Sequence, residues 1–230
     1  MGLMPGSCCE PDYDATFDAR AARRELATYR RSGPTGTTRR LLDAIRREGV
    51  AGATVLDIGG GVGVIGAELL AAGASHLTDV DAARPYLAAA RAEIERRGQA
   101  GRATFVHGDF VRLAATVPTA DVVTLDRVVC CYGDWRSLVD RSAEHAARLL
   151  GLVYPVDRPW TRIMVGTGNL VMRLFGRNFR FYIHPERAID ARIRDHGFAP
   201  IVHRRGLSWQ TVLYARSGSV EGAGASAPHR

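Results

Sequence analysis

Short and long apolar segments alternate along the middle of the chain, with glycine-containing turns between them. Short strand-like runs predict strands at residues 53–58, 75–81, 103–107, 121–125 and 150–155, of which 53–58 is a short apolar run typical of a buried strand. Longer segments, with apolar residues three or four positions apart, predict helices at residues 64–72, 85–97 and 135–149. Strands that alternate with helices in this way predict a parallel sheet with helices on both faces.

The N-terminal part is predicted to form a helical cap over residues 1–36. Residues 10–31 carry a helical pattern, and the turn at Ser32–Gly36 interrupts it. Another helix is expected to begin at Thr37 or Thr38, either of which can act as its N-cap. The main domain is therefore expected to span residues 37–216.

The last third of the chain departs from the alternation. A long segment rich in Trp, Met and Phe is expected to form a lid insert over residues 157–184, and a helix is expected to start near His184. Two strand-like runs, 199–203 and 209–215, then predict an antiparallel hairpin that closes the sheet. Residues 217–230 are small and polar, which is typical of a disordered tail.

Composition agrees with a globular protein, and one omission excludes several mechanisms. The 230 residues are 46% hydrophobic, and all 31 basic residues are arginine, for a net charge of +7. Without lysine the chain has no P-loop, no pyridoxal Schiff base and no protein-kinase strand lysine. The abundance of Ala, Gly and Arg is typical of a GC-rich bacterial genome, so the charge by itself does not favour nucleic-acid binding. No membrane-spanning or secretory segment is recognisable, and a cytoplasmic location is expected.

The glycine-rich turn after the first predicted strand is the strongest chemical signal. Residues 57–63 read Asp-Ile-Gly-Gly-Gly-Val-Gly, with Gly59, Gly61 and Gly63 at alternate positions. Glycines between a strand and a helix let the backbone approach a ligand closely. Residues 61–66 also match the G-x-G-x-x-G dinucleotide pattern, but Asp57 would repel a pyrophosphate and can instead pair with an ammonium group.

Two further carboxylates follow the next two predicted strands. Asp81 ends the second strand, where a carboxylate can accept both ribose hydroxyls, and we prefer it to Asp79 on the same face because it lies nearer the carboxyl end. Asp109 can accept from an adenine amino group, with Phe110 against the ring. A ribose and a cationic amino-acid tail together describe S-adenosylmethionine.

These motifs resemble those of class I S-adenosylmethionine-dependent methyltransferases over about residues 37–156. The resemblance implies a Rossmann-like three-layer α/β/α fold with a seven-stranded sheet, S-adenosylmethionine as cofactor, and transfer of its methyl group. More weakly, the chain resembles small bacterial methyltransferases related to magnesium-protoporphyrin and quinone methylation. That likeness rests on Gly33–Thr37, on the Asp-Arg-Val-Val-Cys-Cys-Tyr run at 126–132, and on the insert after the fifth strand.

In this family the loop after the fourth strand faces the transferred methyl group, and here it begins with Asp126. It lacks both the Asn/Asp-Pro-Pro-aromatic motif for amino acceptors and the Asp-Asn pair of magnesium-dependent enzymes, so we expect a metal-free small-molecule enzyme. Candidate general bases are Asp126, Tyr132 and His184, and Asp126 is also a candidate cofactor contact. The adjacent cysteines, Cys8-Cys9 and Cys130-Cys131, are poorly spaced for zinc, and packing is the simplest role for the second pair.

The lid and its surroundings suggest the acceptor. Residues 158–205 contain ten arginines against three carboxylates. Apolar side chains interleaved with arginines suit a small, largely hydrophobic acceptor that carries an acidic group, methylated on oxygen or carbon, but they also suit an anionic membrane surface. The apolar members are Trp160, Met164, Met172, Phe175 and Phe179, and the arginines are Arg162, Arg173, Arg177 and Arg180.

Two alternatives remain open from the sequence. One is a nicotinamide-dependent oxidoreductase, which an all-parallel sheet with a separate second domain would favour. The other is a methyltransferase-fold protein that binds the cofactor without turnover, which an intact cofactor site does not exclude.

Overall fold

Seven strands form a single mixed sheet in the computed structural model, which describes residues 13–176 and 179–217. The strands are β1 (Thr54–Ile58), β2 (His76–Asp81), β3 (Ala103–His107), β4 (Ala120–Asp126), β5 (Ala146–Pro155), β6 (Phe198–Arg205) and β7 (Trp209–Arg216). Their order across the sheet is β3-β2-β1-β4-β5-β7-β6. The first five are parallel, and β7 runs antiparallel to both of its neighbours. The predicted seven-stranded fold with a terminal antiparallel hairpin is confirmed.

Helices cover both faces of the sheet. They are α1 (Tyr13–Thr16), α2 (Ala19–Ser32), α3 (Gly36–Arg47), α4 (Val64–Ala71), α5 (Arg84–Arg96), α6 (Phe110–Leu113), α7 (Trp135–His145), α8 (Pro159–Leu174) and α9 (Glu186–Asp195). On one face α3, α4 and α5 bury a core that includes Leu41, Ile65 and Leu77. On the other face α6, α7 and α9 bury a second core around Leu125 and Leu138. Helix α2 packs outside α5 through Leu26 and Tyr86.

The main differences from the sequence-based prediction are at three element boundaries. The helix predicted over 135–149 ends at His145, because residues from Ala146 onward pair with β4 and extend β5. The N-cap residue of α3 is Thr35, not Thr37 or Thr38, and its side chain makes no capping hydrogen bond. The described part of the helix predicted over 10–31 is two helices, because Asp18 accepts hydrogen bonds from the amides of Arg20 and Ala21 and starts α2.

Helix α8 is not part of either of the two cores. Helix α8 follows β5 within the predicted insert, and most of its residues are exposed. Across the described residues, no helix is both long and apolar enough to cross a lipid bilayer. The predicted tail beyond Ser217 and the Cys8-Cys9 pair lie outside the described residues.

Candidate active site

A cavity of about 340 Å³ lies at the carboxyl ends of β1 to β4. This edge is where parallel α/β sheets bind ligands, because the loops that leave neighbouring strands diverge there. Helices α1 and α2 close the cavity from above through Tyr13, Phe17 and Glu25. Its volume suits a small molecule.

The glycine-rich loop lines the cavity, and at Gly59 it leaves no room for a side chain. Gly59 has φ +62°, and a Cβ there would lie 2.6 Å from Cγ2 of Val128. Gly61 also lines the cavity, and its amide donates to the Asp81 carboxylate at 3.0 Å. Gly63 is not among the residues that line the cavity; a Cβ there would lie 3.0 Å from Ala90, so this glycine lets α4 start close to α5.

Asp81 faces the cavity with both carboxylate oxygens held by backbone amides. Besides the bond from Gly61, the amide of Ala83 donates to its other oxygen at 2.8 Å. Burial raises the pKa of Asp81 to about 6. Its competitor Asp79 is fully buried beneath the loop, does not line the cavity, and has no hydrogen-bond partner within the described residues. The structure therefore places Asp81, and not Asp79, where a ligand can reach it.

Asp57 is a second buried carboxylate on the cavity wall. Its Oδ1 accepts a hydrogen bond from the Thr124 hydroxyl at 2.7 Å, across the neighbouring strand. Burial raises the pKa of Asp57 to about 7. A cationic ligand group beside this carboxylate would therefore be favoured, because it would stabilise the ionised form.

Asp109 and Phe110 stand together after β3, as predicted from the sequence. Asp109 caps α6 by accepting from the Val111 amide at 2.9 Å, and the Tyr132 hydroxyl donates to its other oxygen at 2.8 Å. Phe110 is buried, lines the cavity, and packs edge-on against the ring of His145.

Asp126 is the last residue of β4, and among the described residues only one of its two carboxylate oxygens accepts a hydrogen bond. The Thr38 hydroxyl donates to Oδ2 at 2.6 Å. Oδ1 is buried without a hydrogen-bond partner among the described residues, and Arg127 Nε is 3.5 Å away. Arg127 has φ +64°, an uncommon conformation for a residue with a side chain. An unpaired buried carboxylate oxygen on a cavity wall can accept a hydrogen bond or a proton from a ligand.

The other two candidate bases differ in their placement. Tyr132 lines the cavity. Burial is the largest cause that raises the pKa of its hydroxyl, and the hydrogen bond to Asp109 raises it further. His184 is not among the lining residues. Its Nε2 lies 3.0 Å from the carbonyl oxygen of Tyr132, its ring stacks on Tyr182, and burial lowers its pKa. His184 thus supports the main chain of the Tyr132 loop from outside the cavity.

The Cys130-Cys131 pair also borders the cavity. The two sulfur atoms are 3.7 Å apart, Cys130 is buried, and both residues line the wall. Within the described residues no cluster of three or more His, Cys, Asp or Glu side chains has the arrangement of a metal site.

The predicted lid is placed differently from the expectation. No residue of α8 lines the cavity; Phe181 is the part of the insert that does. Trp160, Met164 and Phe175 are exposed. Phe179 is buried instead against the rings of Tyr13, Phe17 and Phe181. Arg162 pairs with Asp157 through two hydrogen bonds, and Arg177 lies outside the described residues.

Two residues at the site escaped the sequence analysis. Thr38 is not a lining residue, but its hydroxyl holds Asp126, which is 88 positions away in sequence. Glu25 lines the cavity, accepts from the Tyr86 hydroxyl at 3.1 Å and lies 3.7 Å from Arg127. No local pattern marks these two residues, because each is brought to the site only by the packing of α2 or α3.

The residues present fit S-adenosylmethionine on three structural grounds. Asp81 is held so that its carboxylate faces the cavity, Asp57 is a buried carboxylate without a cationic partner among the described residues, and Gly59 and Gly61 line the cavity without a side chain. These are the features that a ribose and a cationic amino-acid tail require.

Comparisons with known proteins agree with this fit. Residues 55–150 match a family model described as a methyltransferase domain. Magnesium protoporphyrin IX methyltransferase from Synechocystis PCC 6803, crystallised with bound SAH, is 20% identical, with a TM-score of 0.61 over 88% of this chain and 84% of that one. An O-methyltransferase family protein from Burkholderia thailandensis is 22% identical, with a TM-score of 0.67 over 90% and 63%.

A third solved structure, the mitomycin 7-O-methyltransferase, is 22% identical, with a TM-score of 0.59 over 89% of this chain and 60% of that one. At these identities the structural likeness by itself concerns the fold. No curated protein matches the chain. The antiparallel β7 removes the structural basis for the oxidoreductase alternative. The methyltransferase-domain match at residues 55–150, the fold and the glycine loop together support a class I S-adenosylmethionine-dependent methyltransferase, with S-adenosylmethionine as its cofactor.

Proposed function

We propose that the protein transfers a methyl group to oxygen or carbon of a small, largely hydrophobic acceptor, without a metal. The observation that carries this proposal is the mixed lining of the cavity. It combines the carboxylates of Asp57 and Asp81 with a set of aromatic rings. The aromatic lining residues are Tyr13, Phe17, Tyr86, Phe110, Tyr132, Phe181 and Trp209. Apolar walls with few polar groups suit a hydrophobic, planar acceptor.

Within this proposal the cofactor-facing residues divide the binding task. Asp57 pairs with the ammonium group, Asp81 accepts the ribose hydroxyls, and Asp109 with Phe110 receives the adenine. Gly59, Gly61 and Gly63 keep the loop free of side chains. S-adenosylmethionine supplies an electrophilic methyl group on a sulfonium centre, so the protein's own task is to align the acceptor and exclude water.

Asp126 is the general base that the contacts favour among the three candidates. Its Oδ1 accepts no hydrogen bond among the described residues and has the 3.5 Å ion pair with Arg127, whereas the Tyr132 hydroxyl is committed to Asp109 and His184 to a main-chain carbonyl. The raised pKa of Tyr132 keeps its proton in place at neutral pH. An acceptor hydroxyl beside Asp126 can pass its proton to Oδ1, with Thr38 holding the other oxygen.

An acidic group on the acceptor has one partner in the cavity. Arg127 is the basic side chain among its described lining residues, and Glu25 and Asp126 already lie within 3.7 Å and 3.5 Å of it. The hydrophobic part of the acceptor is therefore better supported than the acidic part. Two of the compared proteins are named for acting on magnesium protoporphyrin IX and on mitomycin, the latter by O-methylation, which agrees with a small-molecule acceptor.

The experiment is methyl transfer from isotope-labelled S-adenosylmethionine to a cell extract that has been separated into small-molecule, protein and nucleic-acid fractions. We expect label in the small-molecule fraction, in compounds that partition into organic solvent. The matched control is Asp126→Asn, which should retain cofactor binding and lose most transfer. Label confined to protein or nucleic acid contradicts the proposal. A cytoplasmic location remains a prediction from the sequence.

A further inference from the structure

Helix α8 contacts the rest of the molecule along a single narrow stripe. Thr161 is its one fully buried residue, and Val165, Asn169 and Met172 are half-buried on the same side. Asn169 fixes the helix by exchanging two hydrogen bonds of 2.8 Å with the main chain of Phe181. The anchoring groups of α8 thus include its polar side chains.

The opposite, outward side of α8 is apolar. At 3.6 residues per turn, one arc of about 140° holds seven large apolar side chains and a single polar residue, Thr167. Ile163 is 70% exposed, Leu174 is 76% exposed and Phe175 is 79% exposed. The other apolar residues of this arc are Trp160, Met164, Leu170 and Val171. A surface helix normally shows the reverse orientation, with its apolar side toward the core.

The apolar surface continues beyond the helix. The Trp160 indole donates to the carbonyl oxygen of Leu207 at 3.2 Å, and Leu207, in the turn between β6 and β7, is 76% exposed. We call the outward arc of α8 together with Leu207 the α8 surface. Contiguous exposed apolar surface of this kind marks an interaction site.

Arginines predominate around the α8 surface, and the two flanking carboxylates, Asp157 and Glu186, are each paired with an arginine. Residues 158–185 contain five arginines and no carboxylate. Arg173 and Arg180 are exposed, and Arg158 lies 5.0 Å from the centre of the Trp160 ring. A second copy of this chain would bring arginines against arginines, and a nucleic acid would leave the apolar arc uncovered. An anionic lipid surface satisfies both features, since its headgroups pair with arginine and its acyl region accepts the apolar side chains.

We propose that the α8 surface docks the protein on an anionic lipid bilayer, with α8 lying in the plane of the interface. The helix has 16 residues and is therefore about 24 Å long, enough to rest along the headgroup boundary. This surface lies outside the cofactor cavity, and the inference does not depend on which acceptor is methylated.

The test is co-sedimentation of the full chain with vesicles of phosphatidylcholine alone and of phosphatidylcholine with 30% phosphatidylglycerol. We expect binding to the anionic vesicles that weakens in high salt, and little binding to the neutral ones. Ile163→Ser with Leu174→Ser should weaken binding by at least about ten-fold. Arg173→Gln with Arg180→Gln should weaken it roughly thirty-fold.

The matched control for charge is Arg23→Gln with Arg31→Gln, two exposed arginines on α2 that lower the net charge by the same amount. It should change vesicle binding less than about three-fold, because these residues lie outside the α8 surface. Calorimetry with S-adenosylhomocysteine should give the same affinity for every variant, which separates this test from that of the proposed function.

Three results would overturn the inference. The first is equal binding to neutral and anionic vesicles. The second is loss of binding in the α2 control as large as in the α8 variants. The third is a dimer in light scattering that Ile163→Ser with Leu174→Ser dissociates, which would make a second copy of the chain the occupant.

Discussion

Replacing Asp81 tests the assignment of the ribose-binding carboxylate, and Asp79 offers a matched control two residues earlier on the same strand. Asp81 faces the cavity, with its two oxygens held by the amides of Gly61 and Ala83. In Asp81→Asn the amide nitrogen must face one of these two donors, and the charged acceptor for the ribose is lost. Hydrogen bonds to a charged group contribute about 1.5–3 kcal/mol, so the affinity should fall roughly 10- to 150-fold.

Asp79→Asn should behave differently although the chemical change is identical. Asp79 is fully buried and does not line the cavity, and burial raises its pKa well above the usual range, which favours the neutral carboxyl group. An amide is a close neutral replacement for a protonated acid. The affinity should therefore change less than about three-fold, since no interaction with the ligand is removed.

Isothermal calorimetry with S-adenosylhomocysteine measures both variants, and thermal unfolding shows that each is folded at the temperature used. Asp81→Ser is a second variant in which no amide nitrogen opposes the Gly61 donor. The assignment of Asp81 as the ribose-binding carboxylate is refuted if both Asp81 variants bind S-adenosylhomocysteine within three-fold of the unsubstituted protein. It is equally refuted if Asp79→Asn weakens binding as much as Asp81→Asn does.

Three further predictions concern the same cavity. Because the pKa of Asp57 is about 7, S-adenosylhomocysteine affinity should rise roughly ten- to thirty-fold from pH 5.5 to pH 8 and then level off; a flat calorimetric profile would contradict the ammonium pairing. A Cβ on Gly60 would lie 2.5 Å from the Asp79 carboxylate, so Gly60→Ala should destabilise the protein by about 1–3 kcal/mol in denaturant unfolding. In the double variant Gly60→Ala with Asp79→Ala, the loss of unfolding free energy should be smaller than the sum of the two single losses. A loss equal to that sum would show that the clash is absent. Tyr132→Phe removes a donor to Asp109, so cofactor affinity should fall about three- to ten-fold. The pH dependence of turnover should stay the same, whereas its disappearance would identify Tyr132 as the base.

The sequence was sufficient for the parts of the fold that depend on local pattern. Strand β3 was predicted with the bounds that the structure has, and β1, β2 and α4 within one residue, because short strand-like runs that alternate with helical patterns carry strong local signals. The α7–β5 boundary was wrong by four residues. The segment Ala146–Leu149 favours helix by composition, but pairing of Ala146 with Ala120 of β4 draws it into the sheet.

The candidate site was predictable only where a residue immediately follows a strand. Asp57, Asp81, Asp109 and Asp126 all do so, and the structure brings them to one cavity. Contacts across the chain were beyond the sequence, such as the Thr38 hydroxyl on Asp126. The orientation of α8 was also beyond it, because an amphipathic pattern identifies an apolar side without identifying what covers that side.

Because several carboxylates are buried around the glycine loop, the stability of the protein, and with it its lifetime, should depend on binding of the methyl donor. Burial raises the pKa of Asp57 from 3.8 to about 7, so its folded form binds more protons than its unfolded form over that interval. The free energy of unfolding contributed by this group therefore falls as pH rises from 3.8 to about 7, and Asp81 acts in the same direction. A bound cation beside Asp57 offsets this cost, since any ligand that binds only the folded state stabilises it. A cell short of S-adenosylmethionine would consequently hold the protein in its less stable, more readily degraded form, so that enzyme abundance would follow donor supply.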